Sequence, residues 1–63
     1  MPNVLSGIVL EVGDGFIVLA SGLRIAVSSR VVPDGLAQGV RAVVTARLRG
    51  SSEWVAEDIV VKD

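Results

Sequence analysis

The sequence has no cysteine and no histidine, and its only aromatic residues are Phe16 and Trp54. Without cysteine the chain can form no disulfide, and without either residue type it lacks the usual ligands of zinc and most other transition metals. It also lacks the histidine base and the thiol nucleophile on which many hydrolases depend. We therefore expect no cofactor, no metal site and no enzymatic activity.

The adjacent carboxylates Glu57 and Asp58 do not change that expectation. Neighbouring residues of a regular strand point to opposite faces, so the two carboxylates could not act together on one substrate. The apolar residues that flank them, Ala56 and Ile59, are three positions apart rather than two, which predicts a β-bulge here. The "GDG" at 13–15 precedes a strand, whereas a phosphate-binding loop precedes a helix.

Charge of neither sign dominates, because six basic residues stand against seven acidic ones. A chain held on nucleic acid by its overall positive field is therefore disfavoured. Five of the six basic residues are arginine, however, which is the side chain best suited to bidentate or stacked recognition. The composition is therefore still compatible with a local nucleic-acid site.

The sequence also lacks a long hydrophobic run at its start. "MPNVLSGIVLEVGDG" has no basic n-region, and Ser6, Gly7 and Glu11 interrupt its apolar residues. Neither a signal peptide nor a membrane span is predicted. The absence of cysteine agrees with a reducing compartment. We expect a cytoplasmic protein with no membrane partner.

What the chain does have is apolar content: 51% of its 63 residues are hydrophobic. We expect one domain, residues 1–63, which at this size is marginal without an efficient core or a partner. β-branched residues recur in runs without the spacing of an amphipathic helix, which predicts strands. Five strands are predicted, at 4–12, 16–20, 23–28, 40–48 and 54–61.

Three strands, a connector and two further strands are the order of an OB-like barrel. The connector at 28–39 contains the turn signal Pro-Asp-Gly and leaves room for at most one helical turn, around 36–38. We therefore predict an all-β fold, a small five-stranded antiparallel OB-like barrel. A five-stranded meander or an SH3-like barrel is the alternative.

Alternation along the strands assigns the inner face. In the third strand Leu23, Ile25 and Val27 alternate with Arg24 and Ala26, so the first three point inward. The second strand is apolar on both faces, so alternation does not assign its inner side. The predicted core outside that strand is Val9, Val12, Leu23, Ile25, Val27, Ala42, Val44, Ala56 and Ile59.

Spaced glycines and apolar residues run through nearly the whole chain. They are Gly7, Val9, Val12, Gly15, Ile17, Leu19, Gly22, Ile25, Val27, Gly39, Ala42, Val44, Ala56 and Ile59. This pattern resembles that of the DUF5666-type domains, a bacterial family of small β-barrel repeats of unknown function. Ala42 departs from it, since the family more often has a larger aliphatic residue there. The resemblance implies a barrel in which Ile17 and Leu19 point inward, and it implies no activity.

With those two residues inside, the second strand turns its other side chains outward. The apolar patch expected from them and their neighbours comprises Phe16, Val18, Ala20, Ala26 and Val43. A contiguous exposed apolar patch on a small barrel usually marks an interface. We therefore predict a non-enzymatic interaction or assembly module that uses this exposed strand. Its partner is another copy, most simply in a homodimer, or a different protein.

The alternative function is single-stranded nucleic-acid binding, since OB barrels bind across strands two and three between the first and last hairpin loops. Arginines would contact phosphates there, and the two aromatic side chains would stack on bases. Short loops and the negative charge of Asp14 disfavour tight binding of nucleic acid. Simpler roles are solvation of the strand faces by arginine and packing by Trp54. The candidate binding residues are Phe16, Val18, Arg24, Ala26, Arg47, Arg49 and Trp54.

Overall fold

The computed structural model describes residues 2–62, and within that range it contains five strands and no helix. The strands are β1 (Asn3–Gly13), β2 (Phe16–Leu19), β3 (Arg24–Ala26), β4 (Arg41–Arg49) and β5 (Glu53–Lys62). They close into a barrel in the order β1-β2-β3-β5-β4, and β4 pairs back onto β1. The predicted fold class, a small five-stranded OB-like barrel, is confirmed.

One neighbouring pair of strands is parallel. β3 and β5 run in the same direction where Ile25 pairs with Trp54 and Ala26 with Val55. The other four pairs are antiparallel. A closed ring of five strands cannot alternate in direction all the way round, because five is odd, so at least one pair has to be parallel. The prediction of a wholly antiparallel barrel is therefore wrong at this pair.

β1 is shared between the two sides of the barrel. Residues 3–8 pair with β4, and residues 9–13 pair with β2. The register with β2 shifts between Val9 and Glu11, which leaves Leu10 as the extra residue of a bulge. A bulge bends a strand and increases its twist. This bend allows one continuous strand to close the barrel.

Glycine makes the first two turns, as predicted. Gly15 and Gly22 have φ angles of 86° and 91°, a left-handed conformation that residues with a side chain rarely adopt. The second turn is closed by the Leu19 N–H, which donates to the Leu23 carbonyl at 2.9 Å. These turns bring β1, β2 and β3 together as consecutive hairpins.

The connector between β3 and β4 contains turns in place of the helical turn for which the sequence left room. The Val31 N–H donates to the Ser28 carbonyl at 3.1 Å, and the Leu36 N–H to the Pro33 carbonyl at 3.4 Å. Both bonds span three residues, as in isolated turns. Val31 and Leu36 are half-buried and pack against the core, so the connector covers part of the barrel interior.

The core is wholly apolar across the described residues. Its buried members are Val9, Ile17, Leu19, Ile25, Val27, Ala42, Val44, Ala46, Ala56 and Ile59. The predicted core lacks Ala46, which is buried, and includes Leu23, which is only half-buried against the core. Val12 was predicted wrongly, because its side chain is 41% exposed. Beyond Val9, β1 pairs with β2 alone, so Val12 has a neighbouring strand on only one side and its side chain is not covered.

The bulge predicted in the last strand is present. Thr45 pairs with Asp58, and the next residue, Ala46, pairs with Ala56, so Glu57 is the extra residue. Because of this insertion, Ala56 and Ile59 both point into the core although they are three positions apart. Glu57 and Asp58 are exposed, which agrees with their expected role in solvation.

Candidate functional site

Phe16 was expected to lie exposed on the outer face of β2, and it is half-buried instead. The guanidinium carbon of Arg24 lies 4.1 Å from the centroid of its ring. The ring also fills the space beside Gly13, its pairing partner on β1, so a methyl group on residue 13 would overlap ring carbons Cε1 and Cζ. The barrel therefore covers its own phenylalanine with neighbouring residues.

Val18 is half-buried in the same way. On the outer face it lies between its two pairing partners, Glu11 on β1 and Arg24 on β3. Val43, which was expected to join this patch, lies on β4, and β1 separates that strand from β2. Of the predicted strand residues, Ala20 is exposed and small. The expected patch therefore lacks Val43, and Phe16 and Val18 are only partly exposed.

Four of the candidate binding residues do meet, in a groove outside the β2–β3 pair. They are Phe16, Arg24, Ala26 and Trp54. The groove has a volume of about 360 Å³ and is completed by Asp14 and Gly15 of the first hairpin and Ser52 and Glu53 of the last. This is the surface on which OB barrels bind their ligands.

Trp54 belongs to both the groove and the core. Its side chain is half-buried, packs against the core cluster and lines the groove. Of the two roles expected for this residue, packing and binding, its position serves packing and also leaves one surface in the groove. A substitution of Trp54 would therefore change stability and groove shape together.

Charge of both signs lines the groove. Among the described residues that line it, Arg24 is opposed by the carboxylates of Asp14 and Glu53. Arg49 does not line the groove, and its Nε and Nη2 donate to Glu53 Oε1 at 2.9 and 2.7 Å. In this exposed pair Arg49 neutralises the charge of Glu53. Arg49, one of the arginines expected to contact phosphate, therefore already has a partner.

Arg47 also lies outside the groove, on the outer face of β4. Its Nε is 3.1 Å from Oε2 of Glu57, the bulged residue of β5. An exposed pair of this kind is weak, so it could open for a ligand. Val55, which pairs with Arg47 and with Ala26, lies between Arg47 and the groove.

A different apolar surface is exposed, on the outer side of the sheet formed by β1, β4 and β5. Val43 of β4 lies between Ser6 of β1 and Val60 of β5, directly paired with both. Val4 and Ile8 flank Ser6 on the same face of β1. We call Val4, Ile8, Val43 and Val60 the apolar face. Val4 is 67% exposed, Ile8 36% and Val60 45%, and Val43 is half-buried at the centre.

Charged residues mark the two ends of the apolar face. At one end Arg41 and Lys62 are paired across β4 and β5, beside Ile8. At the other end Asp58 is paired with Thr45, beside Val4. Within residues 2–62, neither Arg41 nor Lys62 takes part in a salt bridge. The face is therefore basic at one end and acidic at the other.

Sequence reasoning missed the apolar face because alternation along one strand does not reveal which strands are neighbours. The signal was present in the apolar outward positions of 4–12, 40–48 and 54–61. Only the strand order places those positions side by side.

The described residues also bear on two other kinds of site. Across 2–62 there is no group of three or more Asp, Glu, His or Cys side chains placed to hold a metal ion. The same part of the chain contains no helix that is long and apolar enough to span a membrane.

No protein-family model matches the chain, and neither does any curated protein or solved structure. The resemblance to DUF5666-type domains therefore stays a prediction.

Proposed function

We propose that this chain is a non-catalytic assembly module that docks onto a protein surface through the apolar face. The observation that carries this proposal is the direct pairing of Val43 with Val60, flanked by Val4 and Ile8 on the outside of a closed barrel. Contiguous apolar patches on small soluble domains are typical of interaction sites. Charged side chains at both ends of the patch resemble the polar rim of an interface.

The energy available from covering this face is substantial for so small a domain. Fully burying a valine or isoleucine side chain contributes about 1.5–3 kcal/mol, so covering the exposed fractions of Val4, Ile8 and Val60 contributes about 3 kcal/mol. The whole unfolding free energy of a domain is about 5–15 kcal/mol. Association through this face would therefore stabilise the fold as well as join it to a partner.

A matched pair of substitutions tests the proposal. Val60 and Val32 are almost equally exposed, at 45% and 48%, but Val32 lies in the connector rather than on the apolar face. Val60→Lys should abolish association, because it places a charge in the middle of the contact. Val32→Lys should leave association unchanged. Sedimentation velocity measures self-association, and retention from a cell extract on the immobilised chain measures association with other proteins.

The proposal requires that at least one of these two kinds of association occurs in the unmodified chain and is lost only in Val60→Lys. Thermal unfolding of both variants checks that each remains folded. If neither readout separates Val60→Lys from Val32→Lys, the apolar face is not a docking surface.

The groove supports a second candidate function, because Phe16, Arg24 and Trp54 converge there. Single-stranded oligonucleotides are the probe for it, and their binding should weaken steeply as salt is raised. Asp14→Asn should strengthen binding by removing a negative charge from the groove, and Arg24→Gln should weaken it. Absence of binding at low salt would reject this candidate and leave the assembly module unaffected.

A further inference from the structure

We propose that a second copy of this chain covers the apolar face. The two copies are related by a twofold axis perpendicular to the strands. In this dimer β4 and β5 of one copy run opposite to β4 and β5 of the other. The inference rests on the proposed function and adds to it the identity of the partner and its orientation.

The positions of the charges on the face carry the orientation. Arg41 and Lys62 lie two residues to one side of Val43 and Val60, and Asp58 lies two residues to the other side of Val60. A twofold axis in the plane of contact, perpendicular to the strands, exchanges these ends. Lys62 then meets the partner's Asp58 at two symmetric places, and the two Val60 side chains meet at the centre.

The residues of β1, the third strand that contributes to the apolar face, fit the same twofold rotation. Ile8 lies beside Arg41, and Val4 lies beside Thr45. Exchange of the ends places Ile8 of one copy over the partner's Val4, so apolar side chains meet apolar side chains along β1 as well. Ser6, midway between them, is small and therefore allows the two copies to approach each other closely. The face is thus self-complementary in both charge and hydrophobicity, as a twofold interface requires.

The other simple twofold arrangement, with its axis along the strands, is disfavoured. With that axis between β4 and β5, Lys62 would lie against the partner's Arg41, and Arg41 against the partner's Lys62. Like charges placed together across an interface suppress that mode of docking. The basic pair therefore selects the orientation in addition to flanking the contact.

The available area predicts a weak dimer. The solvent-accessible surface of the chain is 4168 Å², so one of six sides of such a body offers at most about 700 Å², below the roughly 800 Å² per partner of a standard interface. The outer side of a barrel is convex, so contact is centred on Val43 and Val60. We expect a dimer that dissociates in the micromolar range.

Charge exchange on β5 tests the orientation. Asp58→Lys and Lys62→Asp should each weaken the dimer by about tenfold or more, because each replaces two attractive contacts with two repulsive ones. The double variant Asp58→Lys/Lys62→Asp restores opposite charges at both places and should recover an affinity within about threefold of the unmodified chain. Sedimentation equilibrium measures all four dissociation constants, and thermal unfolding checks the fold of each variant.

Cross-linking gives an independent readout, because Lys62 is the only lysine of the sequence. Asp58 lies four residues away on the same strand, about 13 Å, which is too far for a direct amide bond within one chain. A carbodiimide should therefore join Lys62 to Asp58 only between copies. We expect a covalent dimer that contains this linkage and that disappears in Val60→Asn, which adds neither an amine nor a carboxylate.

The outcomes separate the inference from the proposed function. A chain that stays monomeric at high micromolar concentration, but retains other proteins in a Val60-dependent way, would overturn the inference alone. A dimer whose double charge variant is as weak as the single variants would overturn the orientation proposed here. If Val60→Lys affects neither dimer formation nor retention, the inference and the proposed function both fail.

Discussion

The guanidinium of Arg24 lies over the ring of Phe16, with 4.1 Å between Cζ and the ring centroid. The two residues are diagonal neighbours on the outer face, since Phe16 pairs with Ala26 and Arg24 pairs with Val18. Arginine over an aromatic face is a favourable cation–π arrangement. The contact explains how a strand that is apolar on both faces remains covered within one chain.

The first prediction concerns the strength of this contact. A double-mutant cycle of Arg24→Gln and Phe16→Leu should give a coupling free energy of about 0.5–1 kcal/mol, as expected for a partly exposed cation–π pair. Urea unfolding of the four chains measures it. Strictly additive effects of the two substitutions would show that the stacked geometry contributes nothing to stability.

A second prediction compares two glycines of β1. Gly13→Ala should destabilise the fold by about 1–3 kcal/mol, because the added methyl group meets the Phe16 ring, which then has to move. Gly7→Ala is the matched control, since nothing lies within 4 Å of a methyl group there. It should be neutral or slightly stabilising. Equal effects at both positions in thermal unfolding would mean that the Phe16 ring does not rest on Gly13.

A third prediction concerns the centre of the barrel. Ile25 is fully buried at the point where β2, β3 and β5 meet. Ile25→Ala should cost about 2–5 kcal/mol through lost burial and a cavity, enough to unfold much of so small a domain at room temperature. Val32→Ala, at an exposed position, should change the unfolding free energy by no more than about 0.5 kcal/mol. Circular dichroism during urea titration follows both, and a stable Ile25→Ala variant would contradict this core.

A fourth prediction separates the two outer faces. Val18 lies on β2, away from the apolar face, and is half-buried between Glu11 and Arg24. Val18→Lys should lower the unfolding free energy by about 1 kcal/mol without weakening association. Arg24→Ala should likewise leave association intact. Loss of association in Val18→Lys, with the chain still folded, would show that the docking surface is on β2, as the sequence predicts, and not on the apolar face.

The inner faces of β3 and β4 could be predicted from the sequence because they depend on local alternation, whereas for β2, which is apolar on both faces, the choice of Ile17 and Leu19 rests on the resemblance. Ile17 and Leu19, or Ala42 and Val44, share a face wherever a strand is regular. The insertion at Glu57 was also visible, because two apolar residues three positions apart can both face inward only across a bulge. Val12 escaped this reasoning, since its exposure depends on where its neighbouring strands end.

The outer face depends on strand order, which alternation cannot supply. Phe16 and Val43 were grouped because both are apolar and outward, yet β1 lies between their strands. The covering of Phe16 by Arg24 depends equally on side-chain geometry that no pattern of letters expresses. That at least one pair is parallel follows from counting the strands of a closed ring, but only the strand order identifies that pair as β3 and β5.

The measurement that tests the docking surface most directly needs no substitution. Amide ¹H–¹⁵N spectra of the unmodified chain, recorded from millimolar to low micromolar concentration, show which residues change environment when association is lost. The account predicts concentration-dependent shifts at Ile8, Val43 and Val60, with Val18 and Arg24 unchanged. Shifts confined to Val18 and Arg24, with those of the apolar face constant, would contradict it.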